Sequence, residues 1–494
     1  MNKSSHKLIH LDKHSQNGFA LVMLLVFSSI FVILLVAASG YVVSQAKVTN
    51  YKIREQKALE IAESGITYYR WHLAHVTDDF TDGTGEPGPY IHDYYDINGN
   101  LIGEFSLSIV PPESGSTIVT IESTGYLLEY PDIKRTIALQ LGNPSFSSYA
   151  VVANDEMRFG TGTEIWGPVH SNDGIRFDGY AHNVISSTRD QYNDPDHGGG
   201  DEFGVHTHVS PTDPLPPNDP PNRPDVFGAG RLFPVAPVDF DGITADLADL
   251  KTRAIDNGVY LGESGAQGYH IKFNPDDTMD ITRVTSQSQC NYRWWFWWFS
   301  YSNIWSIGNE SSFTYESQSS IGLPMPTNQI IFVEDDVWVD GQIDGQRVTL
   351  IAAREPLVSG DATIIFNNDL EYTNYDGTDA IGLIAQTDIS VGFYSEDNLR
   401  VDASVIAQKG RVGRYYYANR SGYPQNPANC ADYVYRDTLT LFGSLASNNR
   451  YGFAYTDGTG YQFRNLNFDS NLFYAPPPNF PTLGEYSIIS WEEK

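Results

Sequence analysis

The sequence predicts a mainly β protein carried on one long N-terminal helix. Three observations lead there. An apolar run without a charge extends from Phe19 to Val43, and about 20 such residues at ~1.5 Å each span a bilayer's hydrocarbon core. Helix-compatible sequence follows, then short segments in which apolar and polar residues alternate. From about Tyr149 a frame of strand, corner, strand and glycine recurs along the chain.

The leader, residues 1–18, carries Lys3, Lys7 and Lys13 ahead of Gly18. Lysines before an apolar span satisfy the positive-inside rule, so residues 19–43 read as a membrane helix with the bulk of the chain outside the cytoplasm. A secretory signal has a shorter apolar core with a small-residue cleavage site at its far end. Residues 44–76 continue as an amphipathic stalk. Ala58, Ala62, Tyr69, Leu73 and Val76, flanked by Ile61 and Ile66, repeat at i, i+3, i+4 spacing and predict one buried face.

Residues 77–142 supply a sheet for that face. Phe105, Leu107 and Ile109 alternate with polar residues, as do Val119 and Ile121, then Ile133, Arg135, Ile137, Leu139 and Leu141. Turns at Asn98-Gly99, Pro111-Pro112 and Glu113-Ser114-Gly115 separate these runs, predicting a small antiparallel meander.

Residues 143–494 hold the repeat. Its copies include Val151 to Gly160, Val169 to Phe177, Phe332 to Gly341, Leu350 to Gly360 (LIAAREPLVSG), Leu383 to Gly392 (LIAQTDISVG), Val405 to Gly413 (VIAQKGRVG) and one that starts at Gly443. Copies recurring at one or two rungs of about 18–22 residues are the signature of a solenoid, in which stacked rungs bury faces that no single rung buries alone. The reading is a single-stranded β-helix. A β-sandwich explains the alternation but not the recurring Ala-Gln and Gly corners. Three inserts interrupt the rungs: a loop rich in Asp, Gly and Pro at 189–237, a helix at 239–257 with Ile243, Leu247, Leu250 and Ala254 on one face, and a hairpin with an aromatic run at 259–329.

Composition limits the function. Among 494 residues, 61 are acidic and 31 basic, for a formal net charge of −30. The leader is itself net basic, so the remainder carries all of this negative charge. Such a chain repels nucleic acid and lacks a phosphate-binding stripe. The two cysteines, Cys290 and Cys430, either form one disulfide in an oxidising exterior or remain two thiols.

The motif Gly18-Phe19-Ala20-Leu21-Val22 at the start of the apolar run, with Ala58 to Gly65 (ALEIAESG) further along the helix, resembles the type IV pilin superfamily. Within it the likeness is to PilX-type minor pilins and the K-type pseudopilins of type II secretion, and it covers residues 1–76. The resemblance implies cleavage after Gly18 by a prepilin peptidase, methylation of the Phe19 amine, and partner pilin or pseudopilin subunits. Major pilins carry Glu at the fifth mature position, where it pairs with a neighbour's terminal amine. Met23 stands there in this chain, which implies a minor or tip subunit, since a carboxylate in lipid is costly unless paired. The tail from Tyr474 to Trp491 resembles the close of uncharacterised β-solenoid domains fused to such stalks.

Site chemistry in the head is sparse. His206-x-His208 on a strand points both rings to one face, with Asp194, Asp196, Asp201 and Glu202 near in sequence, but no closed set of divalent-cation ligands can be written. His170 occupies a rung position that elsewhere holds Val152 or Ile384. His197-Gly198-Gly199-Gly200 imitates a lipase oxyanion string without any G-x-S-x-G nucleophile. Asp-Gly pairs at Asp82, Asp376 and Asp457 lack a calcium loop's ligand series and read as turns. Asp335, Asp336, Asp361, Asp369 and Asp388 fall at rung corners, so no catalytic residue is assigned, although polysaccharide-acting enzymes use this architecture. The run Arg293 to Phe299, with Trp294, Trp295, Trp297 and Trp298, reads as buried, because exposed apolar patches of that size are rare. Exposed, it would be a contact surface for a glycan, a protein or a membrane.

Overall fold

The computed structural model describes residues 16–112, 116–240, 242–473, 475–483 and 486–494. The leader lysines, the turn at 113–115, Tyr474 and the side chain of Ile243 lie outside what it describes. The protein is mainly β with one long apolar N-terminal helix, and the chain divides into two compact units.

The first unit contains residues 1–110, 120–140 and 490–494. Its helix α1 runs unbroken from Gln16 to His75, so the apolar run and the stalk are one element. Ala58, Ile61, Ala62, Ile66, Tyr69 and Leu73 are buried against a sheet. Val76 lies past the end of the helix and is exposed, because the chain turns there and the stripe stops. The sheet has the order β1 (Tyr90–Tyr95), β2 (Leu101–Val110), β3 (Ile118–Leu127), β4 (Tyr130–Gly142), with the C-terminal strand Ser487–Glu493 beside β4. Alternation fixes which side chains are buried on the helix side: Phe105 and Leu107 on β2, Ile121 on β3, Ile137 and Leu139 on β4. Gly125 permits the contact, since a Cβ there would lie 2.3 Å from the Ala58 carbonyl oxygen. Sequence alone groups the end strand with the repeat at 143–494. Its last residues pack in this unit instead, with Arg135 paired to Glu493.

The second unit contains residues 111–119 and 141–489. Its strands pair in parallel ladders. The longest runs Val259–Leu261, Ile330–Val333, Arg347–Ala352, Ala380–Ala385, Asn398–Ala407 and Tyr435–Ser447, each paired in parallel with the next. Val151–Ala153 then pairs with Leu445–Ser447, followed outward by Val169–Ser171, Ile185–Ser187 and Arg231–Leu232. The ladder is therefore out of chain order: the earliest strands stack on the latest. A second ladder joins Tyr269–Phe273, Val337–Ile343, Ile364–Phe366, Ile389–Val391 and Val412–Arg414. Residues 259–274 thus belong to both ladders rather than to an insert, and only the chain after them leaves as a hairpin around 275–277.

The long ladder is buried on both faces, which explains its near-continuous apolar strands. Ile331, Leu350, Leu383, Val405, Leu445 and Val151 point into the main core. Their neighbours Phe332, Ile351, Ile384, Ile406, Ala446 and Val152 form an outer cluster. Helix α2 (Ile243–Asn257), through Leu247, Leu250 and Ala254, covers this outer row together with Val238, Phe240, Phe146 and Phe480. His170 continues the row and takes hydrogen bonds with Ser186 and Asn172.

Candidate functional site

The N-terminal part of α1 has no cover among the described residues. Every residue from Gly18 to Ile53 is exposed, including Phe19, Met23 and the apolar side chains between them. An 18-residue window of the helix has a mean hydropathy of 3.1, and by length and composition it is able to cross a membrane. Gly18 and Phe19 lie within its first turn, in open space.

The aromatic run folds as a hairpin, and the expectation of burial is corrected. Asn291–Trp294 pairs antiparallel with Trp297–Ser300, and Trp295-Phe296 is the two-residue turn. Trp294, Trp295, Phe296, Trp297, Trp298 and Phe299 are 60, 85, 85, 73, 51 and 42% exposed. A hairpin tip projects beyond its own strands, so its side chains have nothing to fold onto. Trp295 also holds a left-handed backbone, φ +60°, which a bulky residue adopts only under strain. The base is firmly held. Gln425–Asn426 adds a third strand, and Cys290 is disulfide-bonded to Cys430 with Cα atoms 5.7 Å apart. Around the bridge, Ile304, Phe393, Tyr417 and Val434 form a small core.

Carboxylates and imidazoles converge where Val205–His206 edges a separate three-stranded parallel sheet with Ile175–Phe177 and Met157–Phe159. Asp194 and Glu202 are 4 and 3% exposed, His206 is fully buried, and His208 is half-buried. His206 Nε2 lies 3.6 Å from Asp194 Oδ2 and 3.4 Å from Glu202 Oε2. Glu202 Oε1 is 3.0 Å from both His208 Nε2 and His197 Nδ1. Burial holds the His206 imidazole below its ordinary value, opposed by the charge of Glu202. Sequence paired His206 with His208. It offered Asp194 and Glu202 only as neighbours, because the turn that folds 191–203 back on itself has no hydrophobic period.

The corner aspartates do structural work. Asp335 accepts from the Ser264 backbone N–H and pairs with Arg354, and Asp336 accepts from the Thr363 N–H and the same guanidinium. Burial pushes the Asp336 carboxyl up to about 6. Asp369 and Asp388 accept from the Arg400 and Arg411 N–H groups. Asp376 and Asp457 bind the N–H two residues on and close local turns, and Asp82 takes a left-handed backbone in the turn after α1.

No family model and no curated protein matches the chain. Among solved structures it is similar to the competence-associated pilin ComZ from Thermus thermophilus. That likeness is at 13% identity over 90% of this chain and 98% of that one, with a TM-score of 0.28, too low to define a shared fold.

Proposed function

We propose that this chain is a minor pilin or pseudopilin-like component of a type IV pilus or type II secretion-like assembly. The observation that carries the reading is α1: an uncharged, wholly uncovered apolar run that opens at Gly18-Phe19 and continues without a break into a stalk clamped on its own sheet. An apolar surface this long needs a bilayer before assembly, and afterwards the like helices of partner subunits. Met23 in place of a carboxylate fits a subunit that needs no partner amine, hence a minor or tip position. The second unit is read as a single-stranded β-helix, on the support of its parallel ladders and doubly buried strands.

The head acts by contact rather than turnover. The aromatic hairpin favours adhesion to a surface glycan or protein, since Trp and Tyr present large rigid faces at low entropic cost. A membrane-anchored surface protein outside any filament, and an exported carbohydrate-active enzyme on a stalk, are the competing readings. Substituting Gly18 by a bulky residue separates anchor from prepilin: processing and appearance in a sheared filament fraction are lost for a prepilin, while a plain anchor is unaffected. Sustained turnover of polysaccharide by the full chain would replace adhesion with catalysis.

A further inference from the structure

The cluster around His206, at the edge of the three-stranded sheet, is unusual in what it leaves unpaired. His206 has no accessible surface, yet among the described residues neither ring nitrogen has a hydrogen-bond partner, and Asp194 Oδ2 has none either. An imidazole buried in that state bears the full desolvation cost of both nitrogens. Two buried carboxylates beside it add negative charge to a poorly solvated place, and among the described residues the one lysine or arginine that reaches it is Arg176, 3.6 Å from Asp194.

The spacings point to the missing partner. Separations of 3.4 and 3.6 Å between His206 Nε2 and the two carboxylates are too long for hydrogen bonds. They approach the edge of a tetrahedron around an ion with ligand bonds of about 2.0–2.1 Å, which is about 3.3 Å. One donor atom each from Asp194, His206 and His208 lies within 4.8 Å of the others, and His197, Glu202 and His208 form an overlapping group.

We propose that Asp194, His206, His208 and Glu202 bind one divalent transition ion of the Zn2+ type. Two imidazoles suit that class rather than calcium or magnesium. Two carboxylates neutralise its charge, so the buried site becomes electrically balanced. Four protein donors leave no open position, which makes the role structural. The place suits that role. Val205–His206 is the outermost strand on Ile175–Phe177 and Met157–Phe159, and the donors come from it and from the loop folded back over it. A bound ion staples this loop across the exposed edge of the stack, where terminal rungs need a cap.

The test uses the full untagged chain, stripped with a chelator, given Zn2+ and freed of excess metal by gel filtration. One zinc per chain is expected, with at least tenfold weaker retention in the His206→Gln/His208→Gln double variant and none of that loss in His182→Gln. Should the double variant fail to fold, Co2+ added to the unaltered chain gives the visible absorption of a four-coordinate centre. Absence of retained zinc, retention undiminished in a folded double variant, or Co2+ with only its aqueous spectrum overturns the proposal.

Discussion

His270 stands between two carboxylates, with Nε2 3.0 Å from Asp340 and Nδ1 2.6 Å from Glu310. Burial opposes a charge on the ring, but the two hydrogen bonds and their charges outweigh it and raise the imidazole to about 9. Asp340 and Glu310 are in turn lowered, against their own burial, by the same partner. A cation raised in this way adds stability that is complete below about pH 6.5 and is lost as pH rises through about 9. At most that amounts to about 3 kcal/mol, from 1.36 kcal/mol per unit. On the acid side, stability falls as the two carboxylates protonate. The melting temperature of the head is therefore expected to decline from pH 6.5 to 9.5, and His270→Gln to flatten that slope in thermal scans.

The Cys290–Cys430 bridge spans 140 residues of sequence. Closing so long a loop constrains the unfolded chain, and its removal is expected to cost about 2–5 kcal/mol. The Cys290→Ser/Cys430→Ser double variant should melt lower than the oxidised protein. Because the bridge lies at the base of the aromatic hairpin, trypsin should cut after Arg293 faster in that variant. Equal cleavage would place the hairpin's rigidity elsewhere.

Arg414 is fully buried and none of the described carboxylates pairs with it. Its guanidinium donates to the carbonyls of Val434, Phe393 and Tyr433 and lies over the rings of Tyr417 and Tyr461. Burial pulls it down to about 10. Arg414→Ala removes the donors of two buried carbonyls, those of Val434 and Phe393, and opens a cavity, for an expected loss of about 3 kcal/mol or more in urea unfolding.

Trp295 separates stability from contact. At φ +60° a glycine suits the backbone better, so Trp295→Gly should leave the fold unchanged or stabilise it by about 1 kcal/mol. The same change removes a side chain that is 85% exposed at the tip, and binding of the pure protein to target cells should fall. Adhesion unaltered by this variant and by Phe296→Ser together would move the contact surface off the hairpin.

Local patterning made part of this structure legible. The stalk stripe at Ala58, Ala62, Tyr69 and Leu73 has helical period, and Phe105 and Leu107 alternate on a strand, because each element has one wet face. The strands LIAA, LIAQ and VIAQ announce themselves by burial on both faces. Stacking order was not legible: nothing local in Val151-Val152-Ala153 says that it lies on Leu445-Ala446-Ser447. The aromatic run misled for a physical reason. Hydrophobicity reports a preference for leaving water, and a hairpin tip such as Trp295-Phe296 has no neighbour to meet it. At the histidine cluster His206 and His208 were visible by spacing, while Asp194 and Glu202 join through a turn that carries no periodic signal.

Entry of α1 into a pilin pathway leaves its mark on the mature N-terminus. Mass spectrometry of the protein from membrane fractions, with and without prepilin peptidase in the cells, reads it out. A pilin pathway yields a chain that begins at an N-methylated Phe19 only when the peptidase is present. A chain that retains the leader in both, or begins elsewhere, would contradict this and leave α1 as an anchor alone.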